Sequence, residues 1–233
     1  MKKEELVTTL AQQLRAVQAE RQGAKRDPGL LAARTALKLF QSQRLARSHA
    51  DLLAAADSHD AAVFFFEELY GAHDLSQRDA DLERIIPTMQ RLLPVNALQA
   101  ITEAIVLDAL SERLDTQMAR QLGARFDQAD YIAAYRDATA PAERARQLDL
   151  VQALGLSLCE LVRIPFLSTT LTVMRGPARL AGLGDLQQFL ERGFHAFRRM
   201  KQSQRFVATI VGRERLAMER IYAGHAAPFE RLD

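Results

Sequence analysis

Apolar residues recur along most of this chain at spacings of three and four, the period of an α-helix with one buried face. Leu6, Leu10, Leu14 and Val17 mark a first helix over residues 3–22, closed by Gly23. Asp27 is placed to cap, and Pro28 to open, a second helix drawn unbroken from about Leu30 to Ala56. A short helix over 60–70 follows. Ser76-x-x-Asp79 then resembles a capping box with Asp in place of Glu, heading the stripe Leu82, Ile85, Ile86, Met89, Leu92 and Leu93. Pro87 lies inside that stripe and predicts a kink or break near residue 86. Residues 95–122 give the strongest helical segment, stopped by Gly123. Further helices are predicted over 127–138, 141–162, 166–175 (ended by Gly176-Pro177), 185–200 and 204–222.

No segment alternates with the period of a strand, and no repeat or long linker divides the chain. The pattern therefore predicts an all-α, single-domain helical bundle of about seven to nine helices. Residues 1–233 form that domain, and the helix within 1–25 is the element able to lie at its periphery. The segments 30–56 and 95–122 are expected at the centre, packed against the aromatic helix.

That aromatic helix is Phe64-Phe65-Phe66-Glu67-Glu68-Leu69-Tyr70-Gly71, the densest aromatic cluster in a chain without tryptophan. Spacing four apart puts Phe65 with Leu69 and Phe66 with Tyr70, so one face carries a large apolar load.

Composition narrows the function classes. Lys plus Arg exceeds Asp plus Glu by two, with no basic stripe, so nucleic acid is not the expected partner. The single cysteine, Cys159, sits in an apolar helical stretch and reads as a packed thiol. The longest apolar run, about Leu161 to Met174, contains Arg163 and Pro165 and is too short to cross a bilayer. A soluble, cytoplasmic protein without a membrane role is the expectation. Phosphate loops, His-Glu-x-x-His, Cys-x-x-Cys, nucleophile elbows and paired Glu-x-x-His motifs are all missing, so no metal or cofactor is expected. His49, His59, His73, His195 and His225 are scattered and read as loop or surface residues.

The informative chemistry lies on helix 95–122. At about 100° per residue, Leu98, Ile101, Ile105 and Ala109 form one apolar strip, and Leu107, Leu114, Met118 and Leu122 a second. Asp108, Glu112 and Asp115 fall between the two strips and so turn inward, where unpaired carboxylates are costly. On helix 30–56, Arg44 shares the face of Leu37 and Phe40, and its fork can take a carboxylate in two places. The favoured reading is a buried Arg44–Glu112 or Arg44–Asp108 network that fixes helix register. The alternative is a ligand- or metal-binding pocket formed by Arg44, Glu67, Asp108, Glu112 and Asp115. Arg213 and Glu214 flank the Phe206/Ile210/Ala217 stripe and invite interior salt bridges in the same way.

Three blocks carry a resemblance. They are the Phe64–Gly71 stretch with Arg78-Asp79, Leu110-Ser111-Glu112-Arg113-Leu114-Asp115, and Phe189 through Phe197 with Arg213-Glu214. Together they resemble an uncharacterised bacterial all-helical family with a Phe-Phe-Leu-Glu-Glu-Leu-Tyr-Gly signature. This sequence departs from it at Phe66, and at Ala72-His73 where a Pro-Lys pair is common. The resemblance implies one helical unit over roughly residues 30–220 and brings no activity with it. Two functions are therefore expected from different classes. The favoured one is a non-enzymatic helical protein acting through self-association, as a homo-oligomer, or through a protein partner. The alternative is an all-α pocket protein, an enzyme among its forms.

Overall fold

The computed structural model describes residues 2–69 and 75–232, with the backbone alone at 67–69. Among the described residues every regular element is helical. They are α1 (Lys3–Arg26), α2 (Pro28–Ser48), α3 (Ala50–Ala54), α4 (His59–Val63), a π-helical turn (Phe64–Leu69), α5 (Ser76–Leu92), α6 (Val95–Leu122), α7 (Gln128–Ala138), α8 (Pro141–Leu161), α9 (Leu167–Leu180), α10 (Gly184–Arg199) and α11 (Ser203–Tyr222). Eleven α-helices exceed the seven to nine expected, and one of the additions arises because the segment drawn as one helix over 30–56 is two. The break falls at His49, whose φ of −125° and ψ of 29° leave the helical region. The aromatic helix is likewise divided, since its α-helical turns give way at Phe64 to the wider π form.

Helix α6 is the axis of the molecule. Apolar side chains leave it in several directions, as expected of a helix covered on most sides. It packs against α1, α2, α7 and α8. Far from lying at the periphery, α1 is the main partner of α6. Its Leu6, Leu10, Leu14 and Val17 are fully buried against Leu82, Ile86 and Met89 of α5 and Leu98 and Ile105 of α6. A second cluster joins Leu37, Met118, Tyr131 and Ala134, and a third joins Phe64, Phe66, Val151, Cys159, Phe197, Phe206 and Ile210. Cys159 is buried, as its apolar surroundings predicted.

Two prolines sit within helices rather than ending them. Pro87 lies inside α5 and Pro177 inside α9, and both rings are exposed. The carbonyl that each leaves without an amide partner can turn to water, so the helix continues. The Ser76-x-x-Asp79 box does not form: Leu75 is the N-cap, and Asp79 turns into the core.

Close packing gives one prediction directly. A Cβ built on Gly193 of α10 would stand 2.8 Å from Cζ of Phe64, whose ring is buried. Gly193→Ala should therefore lower stability, because overpacking costs about 1–3 kcal/mol and the helix-propensity gain is at most about 1 kcal/mol. A urea midpoint above wild type would mean that the ring swings aside freely.

Candidate functional site

The inward-facing carboxylates of α6 meet cations from three other helices. Arg21 continues the Leu6–Leu10–Leu14–Val17 stripe of α1 into the core. Its Nη1 pairs with Asp79, and its Nη2 donates to Asp108 at 2.9 and 3.1 Å and to Glu112 at 3.2 Å. Arg34 of α2 pairs with the other Glu112 oxygen and donates to Thr116 at 3.0 Å. Lys38, one turn on, donates to Glu112 at 2.6 Å. Arg78 of α5 closes the far side, 2.6 Å from Asp108 and 3.0 Å from Asp79. Asp115 accepts from Gln41 at 3.0 Å.

Four cations (Arg21, Arg34, Lys38, Arg78) thus face four carboxylates (Asp79, Asp108, Glu112, Asp115). Burial pushes the Arg34 and Lys38 pKa values below their ordinary range, and Asp115 opposes that in both. Glu112 is 2 % exposed and carries three cations, which makes it the hub.

Arg44 is not part of this network. Instead of reaching Asp108 or Glu112, it donates to both oxygens of Glu214 of α11, at 2.5 and 2.6 Å, and lies over the Phe229 ring at 5.1 Å. His49 completes that group with Nε2 3.0 Å from Glu214 and its ring stacked on Phe66. A His predicted at the surface is therefore wholly buried, whereas His59, His195 and His225 are exposed. Burial opposes ionisation of Glu214, but Arg44 and His49 outweigh it and hold the carboxyl at about 2. Neighbouring Arg213 donates to Asp51 at 2.7 Å and to the Ser48 carbonyl at 3.4 Å. The Arg213-Glu214 pair thus clamps both sides of the α2–α3 break. Glu67 and His73 fall outside the described side chains.

One further cation, Arg144 of α8, is 3 % exposed, and its partners among the described residues are neutral: Thr139, Gln147, the Met118 sulfur and the Tyr135 ring. Among the described residues no group of three or more His, Cys, Asp or Glu is arranged to hold a metal ion. A half-open groove of about 260 Å³ runs between α1, α6 and α8, floored by Val106 and Leu110 and crossed by the Arg113–Glu143 ion pair at 2.7 Å. Arg44, Asp108, Glu112 and Asp115 do not line it. Among the described residues no helix is long and apolar enough to cross a membrane.

Among the described residues, several of the most exposed large apolar side chains lie elsewhere, on and just before α9. This helix rests chiefly on α10, with Gln187 donating to the Leu171 carbonyl and Arg175 paired to Glu191. Its other face presents Val173 at 67 % and Leu180 at 92 % exposure, and Phe166, the residue before the helix, is 83 % exposed.

A family model described as "Domain of unknown function (DUF8198)" matches residues 20–228. The chain belongs to this family. The DUF8198 span takes in every member of the four-cation network and the whole Arg44–His49–Glu214 group, and it includes α9. No curated protein and no solved structure matches the chain.

Arg21, Arg34 and Arg78 were missed from the sequence, although the first two carried a signal. Arg21 follows Val17 by four, and Arg34 precedes Leu37 by three, so each occupies a core position of its own helix.

Proposed function

We propose that this DUF8198 protein is a non-enzymatic, cytoplasmic helical protein that acts by association, and that the outer face of α9 is its association surface. The observation that carries this reading is the pair Val173 and Leu180, two turns apart on one side of α9, with Phe166 just before the helix, all three facing water. Thr169, Thr170, Gly176 and Pro177 share the Val173 side of the helix, and none of these residues is charged. Contiguous exposed apolar surface of this kind marks interaction sites more often than it is left idle.

Phe166 adds a second argument. It holds a left-handed φ of 64°, which disfavours a bulky side chain, yet its ring makes little use of the protein's own core. Strain with no internal contact to offset it favours an external role for the ring. The Arg/carboxylate cluster around Glu112 is read as a network that fixes helix register, because its charges are matched in number and Asp79, Asp108 and Glu112 are each ion-paired to arginine.

The test uses the purified full chain as bait in lysate of its own host, beside Val173→Glu and Leu180→Glu. Both positions are exposed, so both variants should keep the wild-type melting temperature. At least one protein, the chain itself counted, should fall by about tenfold or more in both variants, equivalent to about 1.4 kcal/mol of lost binding. Equal recovery by all three baits would remove α9 as the association surface.

A further inference from the structure

Beyond α11, residues 223–232 form no helix and lie back on the helical body. We infer that this segment is a displaceable strap, and that the cleft it fills is a peptide-binding site. The ligand class is an extended peptide bearing Pro-Phe, with Leu three residues after the Phe; residues 228–232 supply that pattern in cis. No α9 residue takes part, so the cleft is independent of the association surface proposed above.

Gly224, at φ 76°, turns the chain off the end of α11, and residues 223–227 are all exposed. The residues after them dock. Pro228 and Leu232 are buried. The half-buried Phe229 ring enters a slot walled by the Arg44 guanidinium, 5.1 Å from its centroid, and by the Tyr131 ring at 6.1 Å. Arg220 of α11 clamps the main chain, Nη1 donating to the Glu230 carbonyl and Nη2 to the Arg231 carbonyl at 3.3 Å. Glu230 and Arg231 themselves are exposed.

An aromatic anchor over a cation, flanking apolar contacts and donors aimed at main-chain carbonyls are the means by which proteins read extended peptides. Among the described residues no backbone–backbone hydrogen bond joins 226–232 to a helix. Every contact of the strap is therefore one that a free peptide of the same sequence can make.

Two features weaken the hold in cis. Nε of Arg44 is buried without an acceptor among the described residues, so the ring covers a donor that it leaves unsatisfied. Arg231 holds a left-handed φ of 46°, a conformation that disfavours residues other than glycine. The exposed stretch 223–227 supplies a hinge whose motion disturbs no helix.

Fluorescence anisotropy of a fluorescein-labelled peptide of residues 226–232 tests the cleft, with the full chain as wild type and as Phe229→Ala. In wild type the strap competes, and apparent affinity is reduced by the fraction of chains that are open. Phe229→Ala should therefore bind the peptide at least about tenfold more tightly than wild type, with an unchanged far-ultraviolet melt. The same peptide carrying F229A should not bind. Arg220→Ala added to the Phe229→Ala chain should weaken binding by about tenfold. Equal affinity for wild type and Phe229→Ala would put the peptide elsewhere on the molecule, and an absence of binding to Phe229→Ala at millimolar chain would remove the cleft as a peptide site. Either result overturns the inference.

Chymotrypsin acting on wild type tests the strap without a variant. Cleavage after Phe229 should release residues 230–233 at a rate that low urea leaves unchanged, because a local opening exposes little surface. A rate that climbs with urea as steeply as global unfolding would mean that the segment leaves only when the helices do, and the strap would be overturned.

Discussion

Glu112→Ala should destabilise the protein by about 3–5 kcal/mol, the range for removing one partner of a buried ion pair. The size follows from what the substitution leaves behind. Arg21, Arg34 and Lys38 all converge on this carboxylate, and the first two are at most 9 % exposed. Arg21 keeps Asp79 and Asp108, and Arg34 keeps Thr116 and the Glu20 carbonyl, but the network then carries one more positive charge than negative. Lys38→Met supplies the contrast. Burial already works against the lysine charge, its side chain is 20 % exposed, and Glu112 retains two arginines without it. That substitution should cost less than about 1 kcal/mol, close to an exposed pair. Urea unfolding of the two variants checks both values. Equal losses would mean that Glu112 is no hub, and a loss below about 1 kcal/mol for Glu112→Ala would mean that water reaches it.

The placement of these carboxylates could be read from the sequence because it depends on one helix alone. Asp108, Glu112 and Asp115 lie between two apolar strips, and a helix covered on both strips must cover what lies between them. The partner cation could not be read in the same way. Arg34 and Arg44 share one face of α2, ten residues or about 15 Å apart along its axis. Choosing between them requires the crossing point of α2 and α6, which hydrophobic spacing does not encode. His49 was hidden for a related reason. Its burial comes from a helix break clamped by Arg213 and Glu214, residues about 165 positions away in the chain. The exposed side of α9 was not legible, because the sequence reading ends that helix at Gly176-Pro177 and leaves Leu180 outside it. That only the inner side of α9 is covered, by α10, is a fact of tertiary packing.

Glu214→Gln should be costly at neutral pH and progressively less so in acid. At pH 7 it strands the Arg44 guanidinium, which is 9 % exposed at the side chain and, among the described residues, hydrogen-bonds to no second carboxylate, so a loss of about 3–5 kcal/mol is expected. The acid behaviour follows from the carboxyl's pKa of about 2 in the folded protein, against an ordinary 4.5 when unfolded. Between those values the unfolded chain binds the proton and the folded one does not. Stability due to Glu214 is therefore complete above the unfolded value and is lost as pH falls towards about 2. The difference between the two pKa values corresponds to about 3 kcal/mol. Other carboxylates titrate over the same range in both proteins, so the useful quantity is the gap in unfolding free energy between wild type and Glu214→Gln. That gap should be constant from pH 7 to about 5, then close as wild-type Glu214 takes up its proton and comes to resemble glutamine. A gap that stays unchanged from pH 7 to pH 3 would mean that Glu214 is not ionised against Arg44 and His49. The clamp on the α2–α3 break would then have to be held by Arg213 and Asp51 alone.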